Sequence, residues 1–316
     1  MILTSVTDDG KGKAMATVAA DTIEDEARAV RAMMRYVDEG DFVTRRYVSQ
    51  GREINTGTYS DHDVMIRDGM PIRDHFRLDT HGFMIARSTS AVSDFHDKAE
   101  VERIYEREVE ADVLRLTGAD KCVARGWLLR TSGDLSEHAS KKVKGYTHQG
   151  GLQPPAGEAH VDVSTATAQR MAEATYAQAF PDGPGFSRFL ITSHWRTFSP
   201  PPQDMPLALC DGRTSFGGEE KNNTLMVVDE FPEGDALTAP VEGEENLLAA
   251  TIFSYHPSHR WWYFAGMERE DVLLFKFHDS NHDVTWRCPH SAFFDGSAEN
   301  PNPRESIECR SVAFWE

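Results

Sequence analysis

The chain of 316 residues contains few cysteines and no long apolar run. Its cysteines are too scattered for a disulfide framework, and none forms a C-x-x-C pair. They are Cys122, Cys210, Cys288 and Cys309. We therefore expect reduced, mostly buried thiols and a cytoplasmic protein. No segment approaches the ~18 consecutive apolar residues that a membrane span requires, so a membrane is not an expected partner.

Basic residues are scarce relative to acidic ones. Lysine and arginine total 33 against 51 aspartate and glutamate residues, which gives a formal net charge of −18. A surface this acidic repels phosphate backbones and anionic lipid, and this argues against nucleic acid as a partner. Hydrophobic residues make up 40% of the chain and aromatic residues 10%, enough for a packed core without a disulfide or metal staple.

Common catalytic signatures are also missing. The chain has no H-E-x-x-H, no P-loop, no G-x-G-x-x-G, no G-x-S-x-G and no C-x-x-C-H. Each absence argues against one large enzyme class, so the chemistry has to be sought in residues that are distant in sequence.

Periodicity predicts helices early in the chain and strands later. Apolar residues at helical spacing predict helices over 21–40, 94–116 and 165–180. Short β-rich runs between Gly, Pro and Asp turns predict a barrel or sandwich in the C-terminal half. These strands are predicted over 186–197, 206–210, 224–229, 247–255, 259–264, 271–277 and 304–314. The polar stretch 131–159 is long enough to be a functional loop or lid.

One H-x-D sequence, His160-Val161-Asp162, stands directly after that stretch. On a strand, residues i and i+2 point to the same side, so the imidazole and the carboxylate can meet one metal ion. A distant histidine would complete a facial triad whose open side is typical of non-haem iron(II) oxygenases. His290 is the best candidate for this third ligand. His256, His259, His278 and His282 compete for the place, and we expect each to be an ordinary core or surface histidine.

An R-x-S sequence, Arg304-Glu305-Ser306, follows His290. It places two side chains on one face of a strand. Arginine can hold a carboxylate in a bidentate fork, and the serine hydroxyl can add a hydrogen bond. The pair therefore suits the distal carboxylate of 2-oxoglutarate. Arg310 follows the same alternation and is a rival, as a structural ion-pair residue.

Ordered blocks across residues 80–314 resemble the AsaB-type hydroxylase/desaturase family. That family includes fungal gibberellin desaturases, meroterpenoid oxygenases and a bacterial protein associated with cephamycin methoxylation. The blocks are 81–83, 90–95, 116–119, 160–164, 194–196, 206–211, 259–264, 271–276, 289–293 and 303–308. The resemblance implies a mainly β fold with flanking helices and a double-stranded β-helix (jelly-roll, cupin-like) core. It further implies an N-terminal helical or irregular region over 1–80 packed on an oxygenase domain over 81–316.

The resemblance also implies roles for particular residues. His160, Asp162 and His290 become the Fe(II) ligands and the catalytic centre, with 2-oxoglutarate and O₂ as co-substrates. Arg304 and Ser306 hold 2-oxoglutarate, and the matching Trp195-Arg196 is placed in the co-substrate site as well. The chain departs from the family pattern around the triad, with Val163 for Gln, His194 for Asn and Thr197 for Pro.

The expected function is oxidation of a small secondary metabolite at a C–H bond, giving hydroxylation, desaturation, or oxidative cyclisation or rearrangement. An oxygenase that does not consume 2-oxoglutarate is one alternative, and only Arg304 and Ser306 argue against it. Two further alternatives use the same three ligands. A zinc hydrolase would accept them but offers no reason for the R-x-S, and a non-catalytic β-barrel module would keep a closed structural metal. The sequence is also compatible with a homodimer.

Overall fold

The computed structural model describes residues 23–49, 52–134, 152–215 and 217–316. Three α-helices are present there: α1 (Leu78–His81), α2 (Lys98–Thr117) and α3 (Thr165–Ala179). The first eight strands are β1 (Ala29–Val37), β2 (Thr44–Ser49), β3 (Arg52–Asn55), β4 (Tyr59–Asp68), β5 (Phe83–Arg87), β6 (Lys121–Thr131), β7 (Leu152–Gln153) and β8 (His160–Val161). The other eight are β9 (Arg188–Thr197), β10 (Leu207–Cys210), β11 (Glu220–Val227), β12 (Ala249–Phe253), β13 (Trp261–Tyr263), β14 (Asp271–Asp279), β15 (His290–Ala292) and β16 (Glu305–Trp315).

The described strands form two sheets, as predicted for a mainly β protein. Ten strands form the larger sheet, in the order β1-β4-β13-β10-β15-β8-β12-β11-β2-β3. Six form the smaller one, in the order β5-β14-β9-β16-β6-β7. One hydrophobic cluster includes inward side chains of both sheets, among them Trp195, Phe275 and Leu209. The metal-ligand candidates come from the larger sheet and the R-x-S strand from the smaller one, so they face each other across the molecule's interior.

Helix α2 covers the outer face of the smaller sheet. Its buried residues Val101, Tyr105 and Val109 belong to a second apolar cluster, together with residues of β9 and β16 such as Leu190 and Ile307. Asp97 caps the helix by accepting hydrogen bonds from two backbone N–H groups, and Gly118 ends it in a left-handed conformation. In the described part of the chain, no helix is long and apolar enough to cross a membrane.

The predicted helices at 94–116 and 165–180 are confirmed by α2 and α3, and each predicted C-terminal strand overlaps an observed one. The helix predicted over 21–40 is wrong. A short helical turn covers 23–25, and then Ala29–Val37 forms β1, which pairs with β4 along its whole length. Val30, Met34 and Val37 fit a helical stripe, but Val30, Met34 and Tyr36 also fit a two-residue period, and pairing with β4 selects the strand.

Strand β6 is absent from the predicted strands. Its two-residue alternation is interrupted at Arg125 and Gly126, because these residues form a bulge opposite β16. Gly126 adopts a positive φ of 90°, which glycine accepts without steric cost. The division of the chain at residue 80 stays a prediction; within the described residues, β1–β4 are hydrogen-bonded into the larger sheet.

Candidate metal centre

Three potential ligands converge where β8 and β15 run side by side. His160 and His290 are paired across the two strands, and Asp162 follows β8 directly. Asp162 Oδ1 lies 3.0 Å from His160 Nε2 and 3.8 Å from His290 Nε2. Both histidines are buried. The H-x-D and the distant histidine, which are separated by 128 residues (290 − 162), therefore present one oxygen and two nitrogens to a common point.

The hydrogen bonds of the two imidazoles fix the tautomer that a metal requires. His160 Nδ1 donates to the Glu158 carbonyl at 2.7 Å, and His290 Nδ1 donates to the Cys288 carbonyl at 3.2 Å. A carbonyl can only accept, so each Nδ1 carries the proton in the neutral ring. Each Nε2 then has a free lone pair directed at the common point. This is the usual arrangement for metal-bound histidine.

The electrostatics also favour a bound cation. Burial opposes ionisation of Asp162, but Arg310 and His160 outweigh it and hold the pKa of that carboxyl well below its usual range. Burial, reinforced by neighbouring His160, lowers the pKa of His290 to about 3. Burial opposes ionisation of His160, but Asp162 outweighs it and raises the pKa of that imidazole. Asp162 is therefore ionised and His290 neutral at physiological pH, the states that ligate divalent metals, and a metal that binds His160 displaces its Nε2 proton.

Glu24, His75 and His81 form a second group of side chains that could in principle ligate a metal. Their hydrogen bonds do not leave the free lone pairs that a metal requires. The Arg77 backbone N–H donates to His81 Nδ1 at 3.0 Å, so the proton of neutral His81 is on Nε2 and that atom has no lone pair to offer. Glu24 already accepts hydrogen bonds from His75 and Arg213, both at 2.8 Å, and from Arg260. We interpret this group as a buried carboxylate held by donors, and we name it the Glu24 clamp.

Opposite the triad, β16 turns a polar stripe inward. Arg304, directly before the strand, continues the alternation of Ser306, Glu308 and Arg310 on the inward face of the smaller sheet, while Ile307 packs against α2 on the other face. Arg304 and Ser306 are each 1% exposed. A cavity is lined by Arg304 and Glu308 together with His160 and His290, so the R-x-S strand and the triad share one space.

Arg304 is anchored on one side and unpaired on the other. Its Nη1 donates to the Met205 carbonyl at 2.8 Å, and its backbone N–H is held by Ser132 and Asp204. Among the described residues, Arg304 Nε and Ser306 Oγ are buried and have no hydrogen-bond partner. Unsatisfied buried donors are costly, so this pair of atoms requires an acceptor that the described residues do not provide.

The charge on Arg304 is only partly compensated. Burial, together with the nearby cation Arg130, outweighs the attraction of Asp204 and Glu308 and lowers the pKa of Arg304 to about 9. Arg130 lies on β6 directly across from Ser306 and lines the same cavity. An anion between these two guanidinium groups would remove both the repulsion and the unsatisfied donors.

Of the two residues placed beside the co-substrate by resemblance, only Trp195 lines this cavity. It faces inward from β9, and the Arg304 guanidinium lies 5.7 Å from its ring centre. Arg196 is the next residue on the strand and points to the opposite face. Its Nε donates to Tyr105 Oη at 3.1 Å, and its Nη1 donates to the Ser88 carbonyl at 3.0 Å. The expectation for Arg196 is thus corrected by strand alternation: its contacts are with α2 and the loop after β5.

Two charged cavity residues were not predicted from the sequence. Glu308 continues the two-residue period of Arg304 and Ser306, so the signal was present in the sequence. Arg130 had no signal because β6 itself was not predicted. The rival histidines have other contacts: His259 Nε2 lies 3.1 Å from Glu219, and His278 stacks on the Phe189 ring.

The predicted loop over 131–159 reaches the site in its described portion. Ala156 lines the cavity and its carbonyl accepts the backbone N–H of Ala292, while Glu158 orients His160. Residues 135–151 of that prediction lie outside the described residues.

The comparison with family models matches residues 34–314 to the oxidoreductase/YMDC permease-like domain. The chain is 32% identical over 263 residues to the hydroxylase/desaturase CTB9 of Cercospora beticola, covering 82% of this chain and 78% of the relative. It is 29% identical to the Fe(II)/2-oxoglutarate-dependent dioxygenase nvfI of Aspergillus novofumigatus, covering 81% and 84%.

A solved structure of the iron and alpha-ketoglutarate-dependent endoperoxidase NvfI, in a form described as having a different conformation, is similar throughout. It superposes with a TM-score of 0.72 at 25% identity and covers 92% of this chain and 99% of that one. The chain belongs to the family of the oxidoreductase/YMDC permease-like domain. The predicted jelly-roll core and the predicted kinship with iron- and 2-oxoglutarate-dependent oxygenases are confirmed, while the AsaB-type label stays a prediction.

Proposed function

We propose that this protein is a non-haem iron(II)- and 2-oxoglutarate-dependent oxygenase that oxidises a small secondary metabolite. His160, Asp162 and His290 are the metal ligands, and Arg304 with Ser306 receives the distal carboxylate of 2-oxoglutarate. One observation carries the proposal: among the described residues, Arg304 Nε and the neighbouring Ser306 Oγ are buried without a partner, and Arg304 lines a cavity that two potential metal-ligating histidines also line. A zinc hydrolase or a structural metal would leave these donors unexplained.

Iron(II) held by this triad would, together with 2-oxoglutarate, supply the activation of O₂ for C–H oxidation. The chain's own residues do the positioning. His160, Asp162 and His290 would hold the metal, and Arg304 would bind the distal carboxylate of 2-oxoglutarate from the opposite side of the cavity. Phe275 and Leu207 line the cavity beside the histidines and exclude water from the reacting region.

The names of the relatives include hydroxylase/desaturase, endoperoxidase and a protein of aspirochlorine biosynthesis. We extend to this chain the general property of acting on small secondary metabolites. Which of hydroxylation, desaturation, or cyclisation or rearrangement follows depends on how the substrate lies, because small displacements at the reacting carbon redirect the product. The cytoplasmic location and the homodimer stay predictions.

Turnover without the native substrate tests the proposal. Protein freed of metal and reconstituted with Fe(II) should form succinate from 2-oxoglutarate slowly under air. The Asp162→Ala variant should form none above background, because one of the three ligands is lost. Zn(II) should support no succinate formation in either protein. Equal succinate formation by the wild-type and Asp162→Ala proteins would contradict the assigned site.

A further inference from the structure

The two oxygens of Asp162 have different neighbours. Oδ1 faces both histidine Nε2 atoms, whereas Oδ2 accepts a hydrogen bond from Arg310 Nη2. A metal at the common point is therefore offered Oδ1, while Oδ2 is held on the side away from it.

Arg310 is itself held in place by a second carboxylate. Its Nε donates to Glu308 Oε1 at 2.9 Å, and its guanidinium lies 5.7 Å from the Phe277 ring centre. Arg310 and Glu308 are 17% and 7% exposed in their side chains. A guanidinium that bridges two largely buried carboxylates cannot rotate without breaking charge-assisted hydrogen bonds.

The number of Asp162 oxygens on the metal decides how much of the coordination sphere remains open. A facial triad would leave open positions for a chelating 2-oxo acid and for O₂. A carboxylate that binds through both oxygens would take one of these positions. Rotation of Asp162 into that mode requires Oδ2 to leave Arg310.

We propose that Arg310, fixed by Glu308, is a positioning residue that keeps Asp162 a one-oxygen ligand and so preserves the open face for 2-oxoglutarate and O₂. The inference rests on the proposed function, since it concerns how that metal site is shaped. It assigns the R-x-S-x-E-x-R stripe two tasks: Arg304 and Ser306 face the co-substrate, and Glu308 and Arg310 control the metal ligand.

The chain offers a matched control in Arg188. This guanidinium also pairs with a buried carboxylate, Asp279, at 2.9 and 2.6 Å, and lies over an aromatic ring, that of Trp315. Its side chain is 22% exposed, close to the value for Arg310. Arg188→Met therefore removes a similar ion pair elsewhere in the smaller sheet and reports the purely structural cost.

The test measures binding without turnover. Co²⁺ is titrated into metal-free protein and followed by its visible absorption, and 2-oxoglutarate is then titrated calorimetrically into the Co²⁺-saturated protein. Arg310→Met should weaken 2-oxoglutarate binding about 10–100-fold and change the Co²⁺ spectrum, as expected when a residue that orients a ligand is lost. Arg188→Met should leave both within twofold of wild type.

Two milder variants keep the test informative if Arg310→Met does not fold. Arg310→Lys retains the charge but lacks the planar fork in which Nε and Nη2 separately reach Glu308 and Asp162. Glu308→Gln retains a neutral acceptor for Arg310. Each should weaken 2-oxoglutarate binding by severalfold with an altered Co²⁺ spectrum.

The outcomes separate this inference from the proposed function. If wild-type protein binds Co²⁺ and 2-oxoglutarate while every Arg310 and Glu308 variant matches it within twofold in affinity and spectrum, the positioning role is overturned and the oxygenase proposal stands. If wild-type protein binds no 2-oxoglutarate in the presence of metal, the proposed function fails first, and the inference fails with it.

Discussion

Arg304 shows at the scale of one residue how binding function can oppose stability. It is a buried guanidinium with no ion pair within 4.0 Å among the described residues, and its pKa is lowered to about 9 chiefly by burial. A folded protein gains nothing from an uncompensated buried charge. The arrangement is understandable if a carboxylate from outside completes it.

Replacement of Arg304 should therefore separate binding from folding. We expect Arg304→Met to weaken 2-oxoglutarate binding at least about 100-fold, because a charge-assisted hydrogen bond to a buried carboxylate contributes about 1.5–3 kcal/mol and two are lost. The free energy of unfolding without 2-oxoglutarate should fall by less than about 1 kcal/mol. Calorimetric titration and chemical denaturation measure the two quantities. A variant that bound 2-oxoglutarate as tightly as wild type would remove Arg304 from the co-substrate site.

The tautomers of two histidines predict which of the two histidine–carboxylate groups takes metal. His160→Gln should abolish binding of one Co²⁺ per chain, because an Nε2 lone pair is lost. His81→Gln, in the Glu24 clamp, should retain it, because His81 Nε2 carries a proton in the native structure. Titration of each variant by visible absorption measures the stoichiometry. Loss of the metal in His81→Gln with retention in His160→Gln would reverse our assignment.

Residues of the candidate site could be predicted from the sequence where two side chains lie on the same face of one extended segment. His160 with Asp162 and Arg304 with Ser306 both follow from the two-residue period, and distant His290 followed from the order of the motifs. Arg130 was not readable, since its contribution depends on which strand lies next to β16. Pairing between strands is a tertiary property that a single sequence does not encode locally.

Among the elements, β1 illustrates how a sequence can carry two periods at once. The segment Ala29–Val37 is rich in alanine, methionine and arginine, which favour helices, and it still forms a strand along β4. The observed burial of Val30, Met34 and Tyr36 follows the strand period. Tertiary pairing outweighs helix propensity here, because the propensity differences amount to a few tenths of a kcal/mol per residue.

Strand β9 lies between the cavity and α2, and Arg196 points from this strand toward α2. Arg196→Met should lower the free energy of unfolding by about 1–3 kcal/mol, since it removes buried hydrogen bonds to Tyr105 and to two backbone carbonyls. The affinity of the folded protein for 2-oxoglutarate should stay within twofold of wild type. Denaturation and calorimetry check this, with Arg304→Met as the opposite case. A large loss of affinity with unchanged stability would return Arg196 to the co-substrate site.

The Glu24 clamp connects the short helical turn before β1 to the segments that carry His75, Arg213 and Arg260. Burial disfavours the charged form of Glu24, but His81, His75 and Arg213 outweigh it and lower its pKa well below the ordinary 4.5. A carboxylate with a lowered pKa stabilises the fold fully above its unfolded value, and this contribution is lost as the pH falls toward the folded value.

Glu24→Gln should accordingly destabilise the protein by about 1–3 kcal/mol at pH 7, because hydrogen bonds to a charged acceptor are lost. The difference from wild type should be constant near neutral pH and narrow below about pH 4.5. Chemical denaturation across that range measures it. A difference that widens on acidification would show that the clamp is not held by an ionised Glu24.

At the scale of the whole molecule, the number and spacing of short strands predicted a barrel or sandwich, and the jelly-roll core came from the resemblance. The two sheets bring β8 and β15 of one to face β16 of the other. This opposition, and no single strand, creates a cavity with the proposed metal ligands on one wall and Arg304 on the other. The residues that line this cavity can be predicted only once it is known which strands of the two sheets face each other.

We infer that the triad and Arg304 form one site for iron and 2-oxoglutarate, and optical absorption tests this most directly. Metal-free protein is reconstituted with Fe(II) under anaerobic conditions, and 2-oxoglutarate is added while the visible absorption is recorded. We predict a weak charge-transfer band that requires both components and is absent in Asp162→Ala. If folded wild-type protein binds Fe(II) but shows no band with saturating 2-oxoglutarate, the triad and Arg304 do not form one site for iron and 2-oxoglutarate.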